Sequence, residues 1–121
     1  MKYLIVMFGA GIGGGLRFFI SSFVQKFLPV YFPWGTLTVN FLGSLILGLV
    51  IFGLDEKDLL SPNLKLLIGV GFCGGFTTFS TFSLETFNLL RDTEFLYAGL
   101  NVLANVFLTI SAVYISYLIT K

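Results

Sequence analysis

The run GFCGGFTTFSTF, Gly71 to Phe82, brings together the side chains in this chain best able to coordinate something. Phe79 and Phe82 stand three residues apart and share a face if the segment is helical, with the hydroxyls of Ser80, Thr81 and Ser83 alongside and Glu85 one turn beyond Phe82. A phenyl ring is positive at its edge, and serine and threonine each bring one donor. Ring edges, hydroxyls and a carboxamide together make a mildly electropositive lining that holds an anion without a fixed cation to trap it. The chemistry is coordination, not bond making. The sequence has no histidine and one cysteine, Cys73. Histidine metal sites, histidine acid/base catalysis and an intrachain disulfide are therefore ruled out, and no catalytic site is expected.

A second kind of ligand comes from the backbone. Gly69, Gly71, Gly74 and Gly75 each weaken a helix by roughly 1 kcal/mol relative to alanine, and Thr77-Thr78 offers side chains that compete for backbone partners. The expectation is a helix broken near mid-membrane. Non-helical backbone at that depth persists only where protein or water satisfies it. Carbonyls freed by such a break are ligands for a hard cation, and two breaks meeting across a two-fold axis could cage one with oxygens alone.

Two further polar seams run through apolar sequence. Thr36, Asn40, Ser44 and Gly48 recur every four residues and share a helix face, and Asn101, Asn105 and Thr109, extended to Ser116, repeat the pattern. Small and hydroxylated residues commonly glue membrane helices together. Asn40 asks for more, since its carboxamide must satisfy two donors and an acceptor. Ion contact and structural hydrogen bonding are both open for it, and two seams on separate helices imply a shared wet path.

The elements carrying these residues follow from composition. Of the 121 residues, 56% are hydrophobic and 11% charged, against about 25% charged in average soluble domains. Four apolar stretches, at about residues 3–23, 34–54, 64–90 and 95–119, each reach the roughly 20 residues that about 30 Å of hydrocarbon requires. The fold class is all-α integral membrane, one four-helix domain over residues 1–121 with its third helix broken. It is expected to be multi-pass in a prokaryotic inner (plasma) membrane, with the lipid bilayer and not nucleic acid as its surroundings. The start, Met1-Lys2 followed by YLIVMF, imitates a signal peptide but reads as the first helix. Gly9 to Gly14 spell G-x-G-x-x-G, yet the acidic residue a dinucleotide site needs about 20 positions later is missing, as the first carboxylate is Asp55. The glycines read instead as two close-packing faces, Gly9/Gly13 and Gly11/Gly15. Arg17, near the far end of that helix, could snorkel to the interface, hold a buried partner, or sit at the mouth of an anion path. Lys2, Lys57, Lys65 and Lys121 fall on one side of the membrane and Arg17, Lys26 and Arg91 on the other. With so little bias, the charge that normally sets orientation predicts insertion both ways and an antiparallel homodimer.

GFCGGFTTFSTFSLE, GTLTVNFLGSLILG and GIGGGLRF resemble, in these positions along the chain, the signature elements of the Fluc (CrcB) family of small fluoride channels. The resemblance covers all four spans. It implies a dual-topology homodimer that exports fluoride passively through two antiparallel pores. It further implies Phe79 and Phe82 as pore-lining rings, Asn40 as an amide donor to the ion, and Ser80, Thr81 and Glu85 as contributors to the pathway. A structural sodium ion would be held at the dimer interface by the main-chain carbonyls of Gly74 and Thr77 from both subunits. Thr36 and Arg17 join the expected path, and Asn105 and Thr109 match a polar track less securely. The rival reading is a small proton-coupled multidrug antiporter, which needs a mid-membrane carboxylate. The first helix has none, and Glu85 lies near the far end of the third span. A packing subunit without transport would leave the central break unexplained.

Overall fold

The computed structural model describes residues 1–121. It is all-helical, with four helical runs long and apolar enough to cross a membrane. Helix α1 spans Lys2–Lys26 and α2 spans Trp34–Gly53. The third crossing begins where the Ser61 side chain accepts from Leu64 N–H and Pro62 occupies the first turn, the usual signals of a helix start. Pro62–Leu64, the π-helical Lys65–Cys73 and Gly74–Phe76 run on without a gap as α3, residues 62–76. The chain is then non-helical from Thr77 to Phe79. The crossing resumes as α4, Ser80–Arg91, and α5, Phe95–Thr120, completes the bundle.

The four glycines expected to break the third crossing are all helical, Gly69 and Gly71 in the π-helical stretch and Gly74 and Gly75 in the turn after it. The interruption comes directly behind them. Two of these positions lie in backbone packing that compensates for weak propensity. A Cβ on Gly71 would press on Val6 O, 2.8 Å away, and one on Gly75 would collide with Ala10 O. From the other side, Gly9 and Gly13 meet the carbonyls of Leu67 and Phe72. Helices α1 and α3 thus touch main chain to main chain, the close approach that small residues permit in lipid. Gly11 and Gly15 meet nothing and face outward.

On the opposite side α2 packs along α5. Ser116 donates from Oγ to Leu45 O at 2.8 Å, at a point where Gly48 leaves room for it. The interior is small and partly polar, Val39, Asn101 and Ser116 being its largest fully enclosed side chains, while most large apolar residues point outward. That inversion suits a chain whose solvent is hydrocarbon. One end of the bundle joins Lys65 to Asp55 at 3.0 Å and Lys57 Nζ to Thr120 O at 2.7 Å. At the other, Gln25 donates to the carbonyls of Pro29 and Phe32 and accepts from Gly35 N–H. Phe32 stacks near Trp34 there, and Tyr31 near Tyr97, aromatic types that favour the membrane interface.

Candidate functional site

The interruption at Thr77 to Phe79 frees backbone groups, and side chains from two other helices take some of them. Asn40 on α2 pairs with Thr78 as another peptide would: Thr78 N–H donates to Asn40 Oδ1 at 2.8 Å, and Asn40 Nδ2 donates to Thr78 O at 3.2 Å. The second amide hydrogen of Asn40 goes to Asn105 Oδ1 at 2.9 Å. Arg17 on α1 donates from Nε to Gly75 O at 2.9 Å. Thr81 N–H, in the first turn of α4, donates to the Thr78 hydroxyl at 3.1 Å. The carbonyls of Gly74, Phe76 and Thr77 remain without a donor. The amides that would reach Gly74 O and Thr77 O in an unbroken helix, those of Thr78 and Thr81, have turned to Asn40 and Thr78, and no other donor replaces them.

The candidate residues divide between two cavities. The first, about 470 Å³, is lined by Asn40, Phe79, Phe82, Asn105 and Thr109, and by Gly74 and Thr77. Phe79 and Phe82 lie with ring centroids 5.4 Å apart and planes inclined by 51°, but Phe82 is 9% exposed and Phe79 79%. The chain covers one ring and leaves the other bare. The second cavity, about 540 Å³, collects Arg17, Thr36, Thr81 and Glu85 with Ser21, Ser22, Gln25 and Lys26. Thr81 and Phe82, consecutive on α4, line different cavities. Ser80 lines neither; it is exposed, its hydroxyl 3.4 Å from that of Thr78.

Hydrogen bonding separates these residues further. In a membrane helix a hydroxyl commonly bonds the carbonyl one turn back, and Thr77, Ser83, Thr86 and Thr109 all do so, to Cys73, Phe79, Phe82 and Asn105. Thr36 and Thr81 do not give their protons to a backbone carbonyl. Both seams exist as expected, and Asn40 and Asn105 bring them into contact. Residues of both line the first cavity, although both amide hydrogens of Asn105 go to Asn101, to its main-chain oxygen at 2.9 Å and to its side-chain oxygen at 3.0 Å. Free donors lie instead toward the second cavity, where Arg17 and Lys26 outnumber Glu85, whose Oε1 is enclosed without a partner. No cluster of carboxylates or cysteine stands ready for a metal, so backbone oxygen is the cation ligand on offer. Gln25, Ser21 and Ser22 escaped the sequence reading, lying on the outer half of α1 without a repeating polar pattern. Thr86 escaped it too, although Phe82-x-x-x-Thr86 is spaced for a hydroxyl to bond one turn back.

Residues 4–117 match the family described as "CrcB-like protein, Camphor Resistance (CrcB)". A "Fluoride-specific ion channel FluC" of Thermococcus gammatolerans is 48% identical over 124 residues, covering 98% of this chain and 94% of its own length. The protein of that name from Campylobacter jejuni is 46% identical over 118 residues, with 98% and 96% covered. That from Methylocella silvestris is 37% identical over 121 residues, with 98% and 92% covered.

Proposed function

The chain belongs to the CrcB-like family, and we propose that it does what its relatives' names state: it is a passive, fluoride-selective channel that lets fluoride leave the cell and limits its toxicity. The observation that carries this reading is that Thr81 and Phe82, neighbours on α4, line different cavities. An anion leaving the first cavity passes a phenyl edge and meets, in the second, the hydroxyls of Thr81 and Thr36, neither of them given to a backbone carbonyl, beside Arg17. Fluoride is small and strongly hydrated, so a path must replace water with donors. Phenyl edges and hydroxyls do so weakly and repeatedly, which allows the ion to leave again. Arg17 and Lys26 set a positive potential at the mouth, and Glu85 beyond Thr81 keeps that potential from becoming a trap.

In this reading two copies insert in opposite orientations and close on each other across the face bearing Phe79. Support comes from the bare Phe79 ring, the open surface at Gly74 and the near-equal division of positive charge. Each copy supplies one of two antiparallel pores. The carbonyls of Gly74 and Thr77, left without donors, fit a hard cation such as sodium, and four of them from two copies would hold it at the interface. That ion would supply only the charge that keeps the carbonyls ordered. The chain's own residues bind and pass the anion.

Purified protein in liposomes loaded with fluoride or chloride tests the function with an ion-selective electrode. Fast fluoride release with no chloride release is expected, and Phe82→Ile should slow fluoride by at least ten-fold. Assembled protein that releases no fluoride, or passes both anions alike, would overturn the reading.

A further inference from the structure

We infer that Asn101 and Thr86 are positioning residues for the ion path, acting through a one-way relay of hydrogen bonds that ends on Asn40. The inference rests on the reading of Phe82 and Asn40 as parts of that path. The relay begins at Phe82 O, which accepts from the Thr86 hydroxyl at 2.8 Å. With its proton so engaged, Thr86 Oγ1 accepts from Asn101 Nδ2 at 2.9 Å. Asn101 Oδ1 then accepts from Asn105 Nδ2 at 3.0 Å, and Asn105 Oδ1 accepts from Asn40 Nδ2 at 2.9 Å. Thr78 N–H donates to Asn40 Oδ1 and closes the sequence.

Its direction cannot be reversed. A carbonyl only accepts and a backbone N–H only donates, so Phe82 O at one end and Thr78 N–H at the other dictate how every amide between them is turned. Asn101 O, accepting from Asn105 at 2.9 Å, enforces the same sense in the middle. Asn101 is 0% exposed and Asn105 is 6%, so water does not replace either of them, while Thr86 at the end of the relay is half-buried. Were these asparagines only packing glue, reversing an amide would matter little. Here, if Asn105 turns, its amide group faces that of Asn40, donor against donor, beside the break and against the first cavity. Asn101 therefore lines neither cavity yet holds the wall of one. Buried networks of this kind are apportioned by double-mutant cycles.

The test uses full-length Thr86→Val, Thr86→Ser, Asn101→Leu and the Thr86→Val/Asn101→Leu double variant, each checked for assembly by gel filtration. Fluoride and chloride efflux are measured from liposomes. Thr86→Val replaces hydroxyl by methyl in nearly the same shape, while Thr86→Ser keeps the hydroxyl. Thr86→Val and Asn101→Leu should each lower the ratio of fluoride to chloride rates by at least ten-fold. Thr86→Ser should stay within two-fold of the unmodified chain, and the double variant should be no worse than the worse single one. A Thr86→Val ratio within two-fold of the unmodified chain, or single losses that multiply in the double variant, would overturn the relay. So would a Thr86→Val that fails to assemble while Thr86→Ser succeeds, which makes the hydroxyl a folding requirement. An unmodified chain that releases no fluoride overturns the functional reading instead.

Discussion

A carboxamide inside the bilayer must find partners for two donors and an acceptor, and at Asn40 those partners are the C=O and N–H of Thr78 and the Oδ1 of Asn105. To donate to a passing ion, Asn40 has to release one of these bonds. Asn40→Asp separates the two uses. It keeps an oxygen for Thr78 N–H but sets a second oxygen against two acceptors, and leaving buried groups unpaired costs about 1–3 kcal/mol. The thermal midpoint should therefore fall and fluoride efflux should drop by at least ten-fold. An unchanged midpoint would mean that the observed bonds carry no stability. Residue types and depths were readable from the sequence, since an asparagine amid apolar residues announces a need for partners. The partners themselves were not, because they lie 38 and 65 residues away. Arg17 shows the same limit. Its guanidinium borders the second cavity while bonding the last turn of a broken helix, and that partner, Gly75 O, lies 58 residues away.

Helices α1 and α3 meet without side chains between them, and that contact responds to a single methyl group. Gly75→Ala would drive a Cβ into Ala10 O, whereas Gly11→Ala adds one in open space. Overpacking costs typically about 1–3 kcal/mol, so Gly75→Ala should lower the thermal midpoint in detergent and Gly11→Ala should leave it nearly unchanged. At the other end of the third crossing, Thr93 N–H bonds Leu90 O and Glu94 N–H bonds Leu89 O, the pattern of a helix stop that favours glycine at the left-handed position. Thr93 fills that position with φ of 60°. Thr93→Gly should raise the midpoint, removal of such strain being worth about 1 kcal/mol. The interruption was legible in the Gly-rich run followed by two threonines, although the glycines serve contact and the threonines take the break. The π-helical stretch was not legible, since i→i+5 bonding is chosen by packing against α1 and not by any residue pattern in KLLIGVGFC.

Four crossings account for nearly the whole chain, and their positions were legible because length and apolarity alone decide them. How one copy meets another depends on surfaces that a linear pattern does not reveal: the bare ring of Phe79 became apparent only once Phe82 was seen to be covered. Charge supplies a test at this scale. Lys121→Cys, labelled in sealed vesicles by a thiol reagent that cannot cross lipid, should react to about half its final extent before the membrane is opened, as expected of chains inserted both ways. Labelling of all or none would mean a single orientation. An even number of crossings also returns the C-terminus to the side where the chain began, and Lys57 fastens that end to the loop between α2 and α3. A genetic fusion of two copies through a short soluble linker would therefore force both halves to point the same way. Building an inverted pair as one polypeptide requires an odd number of additional crossings in the linker, so a concatemer with a single added transmembrane helix should conduct where the directly fused one does not.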